Sequence, residues 1–145
     1  MGQQNPTVMI SLGGNAISPK NESGTIDEQF AHTRESLAAV MGFVKRRYNI
    51  CIAHGNGPQV GAELQRNELT QDLIPPLPLG VLVANTQGAI GYMIQQSLQN
   101  ALYKEDANRE VVSVISQVKV DKDDPELMDP KKYIGKSYDK KTALD

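Results

Sequence analysis

Short apolar runs alternate along the chain with longer segments in which apolar residues recur at helical spacing. Thr7–Leu12 and residues 50–53 are apolar runs of strand length, and each leads into a glycine-containing loop. Residues 111–120 form a further apolar run, which predicts a third strand. Strands that alternate with helices favour an α/β fold with a mainly parallel sheet, right-handed crossovers and helices on both faces.

The helical segments begin with recognisable start signals. Thr25 and Glu28 have the spacing of a capping box, and an apolar series at helical spacing follows over residues 30–44. Pro58 follows the second glycine loop and fits the first turn of another helix. The pattern therefore predicts a helix after each of the first two strands.

A long amphipathic helix is predicted over residues 79–102, after the proline-rich break at residues 75–78. Gly88 and Gly91 lie inside it, where each costs about 1 kcal/mol relative to alanine. Two explanations remain open: close packing of this helix against the sheet or another subunit, or a break between two shorter helices.

Composition indicates a single globular domain and excludes several classes of partner. The chain has 145 residues, 39% hydrophobic and 22% charged, and its net charge of −2 provides no basic surface for nucleic acid or anionic membranes. Cys51, the single cysteine, lies between two isoleucines and is predicted to be a buried, inert side chain. Without an apolar leader or a membrane-length apolar run, we expect a cytoplasmic protein.

Two glycine- and asparagine-containing loops suggest an anion site. Gly13-Gly14-Asn15 and Gly55-Asn56-Gly57 follow the first two predicted strands, and ligands of open parallel sheets bind beyond the carboxyl ends of strands. Glycine lets backbone N–H groups approach a ligand closely, and the side-chain amides of Asn15 and Asn56 can donate to oxyanions. The loops are also consistent with simple turns, although their occurrence at two equivalent strand ends favours a site.

Two further polar residues have ordinary interpretations. His54 could transfer a proton, but a histidine at a strand end is more often a hydrogen-bonded structural residue. Lys132, judged by spacing alone, is a solvated surface charge in a lysine-rich segment. The sequence lacks a Walker A motif, and residues 55–61 depart from the dinucleotide-binding glycine pattern.

Four motifs together resemble those of the carbamate kinases, which belong to the amino-acid kinase superfamily. They occur in the family's order and cover nearly the whole chain: Leu12-Gly-Gly-Asn-Ala16, His54-Gly-Asn-Gly-Pro-Gln-Val-Gly61, Gln87-Gly-Ala-Ile-Gly-Tyr92 and Asp129-Pro-Lys-Lys-Tyr-Ile-Gly135. The resemblance implies an αβα sandwich and a homodimer. It also implies that residues 1–120 are the carbamate- and phosphoryl-binding portion, that residues 121–145 begin a protruding subdomain or tail, and that the C-terminal ATP-binding half is absent.

The resemblance also implies the chemistry and its residues. The family transfers a phosphoryl group reversibly between ATP and carbamate, giving carbamoyl phosphate and ADP, in arginine and carbamoyl phosphate metabolism. The implied catalytic residues are Asn15 and Lys132, and the implied substrate- and phosphate-binding residues are Gly13, Gly14, Gly55, Asn56 and Gly57. No protein-bound metal is expected, since Mg²⁺ would be held mainly by the phosphates of ATP or ADP.

Two alternatives to this function remain open. Gly13-Gly14-Asn15 would also suit another amino-acid kinase, one that phosphorylates a carboxylate. A noncatalytic remnant that binds anions or dimerises is the second alternative.

Overall fold

A computed structural model describes residues 5–19 and 21–135. Its elements, in chain order, are β1 Thr7–Leu12, α1 Gly14–Ile17, α2 Ile26–Ala38, α3 Val40–Lys45, β2 Asn49–His54, α4 Gly57–Thr70, α5 Leu79–Lys104 and a short 3₁₀ helix at Pro125–Leu127. Within these ranges, no helix combines the length and the apolarity that crossing a bilayer requires.

The two strands pair in parallel, as the alternation of strands and helices predicts. The register places Thr7 opposite Asn49 and Leu12 opposite His54. Both strands therefore end at the same edge of the sheet, and the loop that follows each strand begins there.

Burial alternates along both strands. Ile10 and Ile52 face the helices and pack against the core, whereas Met9 is 71% exposed on the other face. Cys51 pairs with Met9 and is exposed as well, so the prediction that Cys51 is buried was wrong. The reason is the two-residue period of a strand, which turns Cys51 away from the face that its isoleucine neighbours occupy.

The core lies between this face of the sheet and helices α1, α2, α3 and α5. Burial of one large aliphatic side chain contributes about 1.5–3 kcal/mol, so this cluster is the main stabilising feature of the described fold. Its buried members are Leu12, Ile17, Leu37, Val40, Val44, Ile90, Met93, Ile94, Leu98 and Leu102.

The predicted helix starts are confirmed. The Thr25 N–H donates to Glu28 Oε2 (2.8 Å) and the Glu28 N–H donates to Thr25 Oγ1 (3.3 Å), so the capping box is complete. Pro58 occupies the first turn of α4. The apolar series of residues 30–44 forms two helices rather than one: α2 ends at Ala38 and α3 begins at Val40, with Ala39 between them.

Helix α5 is continuous through both of its glycines, which excludes the break considered from the sequence. A Cβ added at Gly91 would lie 3.1 Å from Ser113 Cβ, whereas one added at Gly88 would have its nearest neighbour, Ile115 Cδ1, at 3.8 Å. Ser113 Oγ donates to Gly91 O (3.0 Å). Gly91 therefore permits the chain after α5 to approach the helix closely.

The prediction of a third strand at residues 111–120 was wrong. Backbone groups in this segment bond to glutamine side chains of α5: the Val111 N–H donates to Gln99 Oε1 (3.0 Å), and the Ser116 N–H donates to Gln87 Oε1 (2.9 Å). Val112 is 80% exposed. A strand exists only when a neighbouring strand pairs with it, and the described residues provide no such neighbour here.

Candidate anion-binding site

The loop after β1 and the loop after β2 touch each other at the sheet edge. A Cβ added at Gly55 would lie 3.4 Å from the backbone nitrogen of Gly14, and one added at Gly14 would lie 3.1 Å from Pro58 Cδ. The Gly55 N–H also donates to Leu12 O (3.0 Å). Gly14 and Gly55 therefore lie where the two backbones come into contact, and a residue with a side chain at position 14 would push the loops apart.

These loops line one cavity of about 790 Å³ together with the segment that precedes residue 136. Six of the residues singled out from the sequence are in its lining: Gly14, Asn15, Gly55, Asn56, Gly57 and Lys132. Gly13 is not among the lining residues; it precedes α1, and its carbonyl accepts from the Ala16 N–H (2.9 Å). Its predicted contact with a phosphoryl group stays a prediction.

The first turn of α4 presents unpaired backbone donors at this cavity. Intrahelical bonding begins with the Val60 N–H, which donates to Asn56 O (2.9 Å), and Pro58 has no N–H. The N–H groups of Gly57, which lines the cavity, and of Gln59, which does not, have no backbone acceptor among the described residues. Such free amides, at the positive end of a 14-residue helix, favour an anion.

The side chain of Asn56 is held by α5, a contact that the sequence analysis missed. Asn56 Nδ2 donates to Thr86 Oγ1 (2.9 Å) and to Val83 O (3.4 Å). The sequence-based expectation was that this amide would face an oxyanion, but its hydrogen atoms are engaged by the helix. What Asn56 offers to the cavity is its backbone.

Lys132 reaches the cavity because its segment packs on α4. A Cβ added at Gly61 would lie 3.4 Å from Gly135 N, and Gly135 has a φ of +105°, which other residues rarely adopt. The neighbouring Lys131 forms an ion pair with Glu126 (3.0 Å), whereas Lys132 lines the cavity. Adjacent lysines thus have different environments, a difference that spacing alone does not reveal.

The donor set suits an anion rather than a metal ion. The described lining contains backbone amides, the Asn15 amide and the Lys132 ammonium group, and it contains no carboxylate. His54 is not in that lining; its Nδ1 lies 3.3 Å from Gly55 O, which agrees with the structural interpretation of this residue.

Known relatives identify the family. A carbamate kinase from Pyrococcus horikoshii is 45% identical over 138 residues, which are 94% of this chain and 44% of the relative. A carbamate kinase from Escherichia coli strain K12 is 38% identical over 132 residues, and a solved carbamate kinase from Giardia lamblia, bound to AMP-PNP, matches with a TM-score of 0.88 at 33% identity. The chain is homologous to part of a carbamate kinase.

The match confirms the predicted fold class, because the Giardia lamblia carbamate kinase covers 97% of this chain. The described residues thus have the α/β architecture of a carbamate kinase. The chain spans about 44% of the length of the Pyrococcus horikoshii and Giardia lamblia carbamate kinases. No protein-family profile matches it.

Proposed function

We propose that this chain provides the carbamate- and phosphoryl-binding part of a carbamate kinase, which transfers a phosphoryl group reversibly between ATP and carbamate. The main support is the contact of two loops at one sheet edge, around a cavity that Lys132 also lines. The similarity to carbamate kinases over 94% of the chain supports the choice of reaction.

Each group at the cavity has a role in this proposal. The Gly55 N–H is engaged by Leu12 O, so the N–H groups of Asn56 and Gly57 hold carbamate or its phosphate. The Asn15 amide donates to the transferring phosphoryl group, and Lys132 neutralises charge on its oxygens. A carbamate oxygen attacks the γ-phosphorus while the bond to the ADP oxygen breaks. Phosphoryl transfer depends mainly on such alignment and charge stabilisation, and little covalent chemistry is required of the protein.

The nucleotide is assigned to the part of the carbamate kinase length that these 145 residues do not span. Mg²⁺ would be bound through the phosphates of ATP or ADP, where it would neutralise their charge, because the described lining offers no carboxylate. By the same family resemblance, the proposal includes a cytoplasmic homodimer that acts in arginine or carbamoyl phosphate metabolism. Residues 121–145 are assigned to the start of a protruding subdomain or to a tail; residues 136–145 lie outside the described ranges.

The test is ATP formation from carbamoyl phosphate and ADP. We would assay the 145-residue chain alone and a fusion enzyme, in which this chain replaces the matching part of the Pyrococcus horikoshii carbamate kinase. We expect the chain alone to bind carbamoyl phosphate without turnover and the fusion enzyme to make ATP.

Other outcomes would point to the alternatives. A folded fusion enzyme that binds carbamoyl phosphate without making ATP would indicate a noncatalytic anion-binding remnant. Turnover with an amino-acid carboxylate, but not with carbamoyl phosphate, would indicate a different amino-acid kinase.

A further inference from the structure

Lys132 belongs to a segment that has few attachments to the rest of the fold. The last hydrogen-bonded attachment before it is at Ser116, whose N–H donates to Gln87 Oε1 (2.9 Å) and whose carbonyl accepts from Gln87 Nε2 (3.3 Å). Among the described residues, the hydrogen bonds of the segment 117–135 join members of that segment to one another, as in the turn at residues 121–129. The placement of Lys132 therefore depends on packing.

The packing contact lies between two glycines, Gly61 of α4 and Gly135. A Cβ added at Gly61 would lie 3.4 Å from the backbone nitrogen of Gly135 and 3.7 Å from its Cα. The backbone of the segment thus rests directly on the helix, and a side chain larger than a methyl group at Gly61 would leave no room for it. Gly61, Gly135 and Lys132 all line the anion cavity.

This contact determines where Lys132 lies because it is near Lys132 along the chain. Gly135 is three residues away, and three extended residues span at most about 10 Å. Ser116 is 16 residues away, and a segment of that length can reach about 50 Å, so its attachment to α5 does not fix the position of Lys132. The φ of +105° at Gly135 sets the path of the chain at the contact.

From this geometry we infer that Gly61 and Gly135 are positioning residues, whose contact docks residues 132–135 on α4 and so places Lys132 at the anion cavity. Their effect on phosphoryl transfer passes through Lys132. This inference rests on the proposed function, in which Lys132 neutralises charge on the phosphoryl oxygens.

Gly135→Ala tests the inference in the fusion enzyme. The added Cβ would meet Leu64 Cδ2 at 3.4 Å, an ordinary contact, so the main effect is that alanine disfavours the positive φ and the segment must change its path. We expect kcat for ATP formation to fall about 10–10²-fold with little change in KM, since a small displacement of a charge-stabilising group has an effect of that size. Gly24→Ala is the matched control, because Gly24 also has a positive φ (+70°) and lies outside this cavity, and its kcat should stay close to the parent value.

A size series at Gly61 tests the helix side of the contact. Gly61→Ala should keep the parent kcat, because a Cβ there makes only an ordinary contact, whereas Gly61→Leu should lower kcat about as much as Gly135→Ala. Gly80→Leu is the control, since an added Cβ at this glycine of α5 meets open space. In a Lys132→Met background, Gly61→Leu should cause no further loss. An equal loss in both backgrounds would overturn the inference, because leucine would then act by filling the cavity.

NMR spectroscopy of the 145-residue chain gives a readout that needs no activity. The parent chain should show a nuclear Overhauser contact between the Gly61 α-hydrogens and the Gly135 amide hydrogen. Gly61→Leu should remove this proximity and shift the Lys132 amide signal, whereas Gly80→Leu should leave that signal unchanged. If the fusion enzyme makes no ATP, the proposed function fails, while this measurement still decides whether the glycine contact positions Lys132. Absence of the contact in the parent chain, or an unshifted Lys132 signal in Gly61→Leu, would contradict that role.

Discussion

At the scale of single residues, the site depends on which polar groups the fold leaves available. Asn15 and Lys132 come from opposite ends of the chain, and the structure brings both to one cavity. Asn56 has its amide engaged by Thr86, and Lys131 has its ammonium group engaged by Glu126. Residue type alone therefore does not define the site, and variants of chemically identical residues give direct tests.

Asn15→Ala should lower the turnover of the fusion enzyme by about 10²–10³-fold, because loss of one preorganised donor to a reacting oxyanion has an effect of that size. The measurement is the steady-state rate of ATP formation. Asn108→Ala, an exposed asparagine outside this cavity, serves as the control and should leave the rate unchanged. An unchanged rate in Asn15→Ala would refute the role of Asn15.

Lys132→Met should lower the fusion enzyme's kcat by about 10²-fold, since it removes the ammonium group proposed to neutralise the phosphoryl oxygens. Lys131→Met is its neighbour control. Lys131 pairs with Glu126 on the surface, and exposed ion pairs contribute roughly 0–1 kcal/mol, so its kcat should stay close to the parent value. Equal losses in the two variants would show that the segment's charge matters and not the placement of Lys132.

At the scale of elements, helix-start residues and helix glycines determine where a helix begins and how closely a neighbouring segment approaches it. The capping box fixes the start of α2 at Thr25, and Gly91 lets the chain after α5 pack closely on that helix. Variants at each of these positions should change the free energy of unfolding, and this prediction does not depend on the proposed function.

Thr25→Ala should lower the free energy of unfolding by about 1 kcal/mol, because it leaves the Glu28 N–H without its side-chain acceptor. Thr25→Ser keeps an acceptor and should behave like the parent chain. Urea denaturation of the three proteins measures the difference. Identical midpoints for the alanine and serine variants would contradict the capping role.

Gly88→Ala and Gly91→Ala should have opposite effects on stability. Alanine at position 88 meets only an ordinary contact and should raise the free energy of unfolding by up to about 1 kcal/mol through helix propensity. At position 91 the new Cβ would meet Ser113 Cβ at 3.1 Å, so the chain must shift and stability should fall. Thermal denaturation compares them, and a stabilising Gly91→Ala would show that the close approach is not required.

Local signals in the sequence were sufficient to predict most of the helices and strands. Contacts between residues far apart in the sequence could not be predicted in this way. The strand at Thr7–Leu12, the start of α4 at Pro58 and the length of α5 follow from apolar spacing and helix-start residues within a few positions. Residues 111–120 have strand composition but no strand partner, which composition cannot show. The Asn56–Thr86 contact joins residues 30 positions apart, so no local pattern indicates it.

At the scale of the whole molecule, the described fold is a helical layer on one face of a two-stranded sheet. Val112 and Val114 are 80% and 82% exposed, and Met9 is 71% exposed on the open sheet face. The two glycine loops nevertheless meet without any further element, because parallel pairing brings both strand ends to one edge. The anion site should therefore form in this chain by itself.

The most direct test of that claim is a titration of the 145-residue chain with carbamoyl phosphate, followed by the backbone amide NMR signals of each loop. We predict that the amide signals of Gly14 and Asn15 and those of Gly55 and Gly57 shift together, with one shared dissociation constant, while the amide signals at the far end of α5 do not shift. Shifts confined to one loop, or different dissociation constants for the two loops, would contradict it.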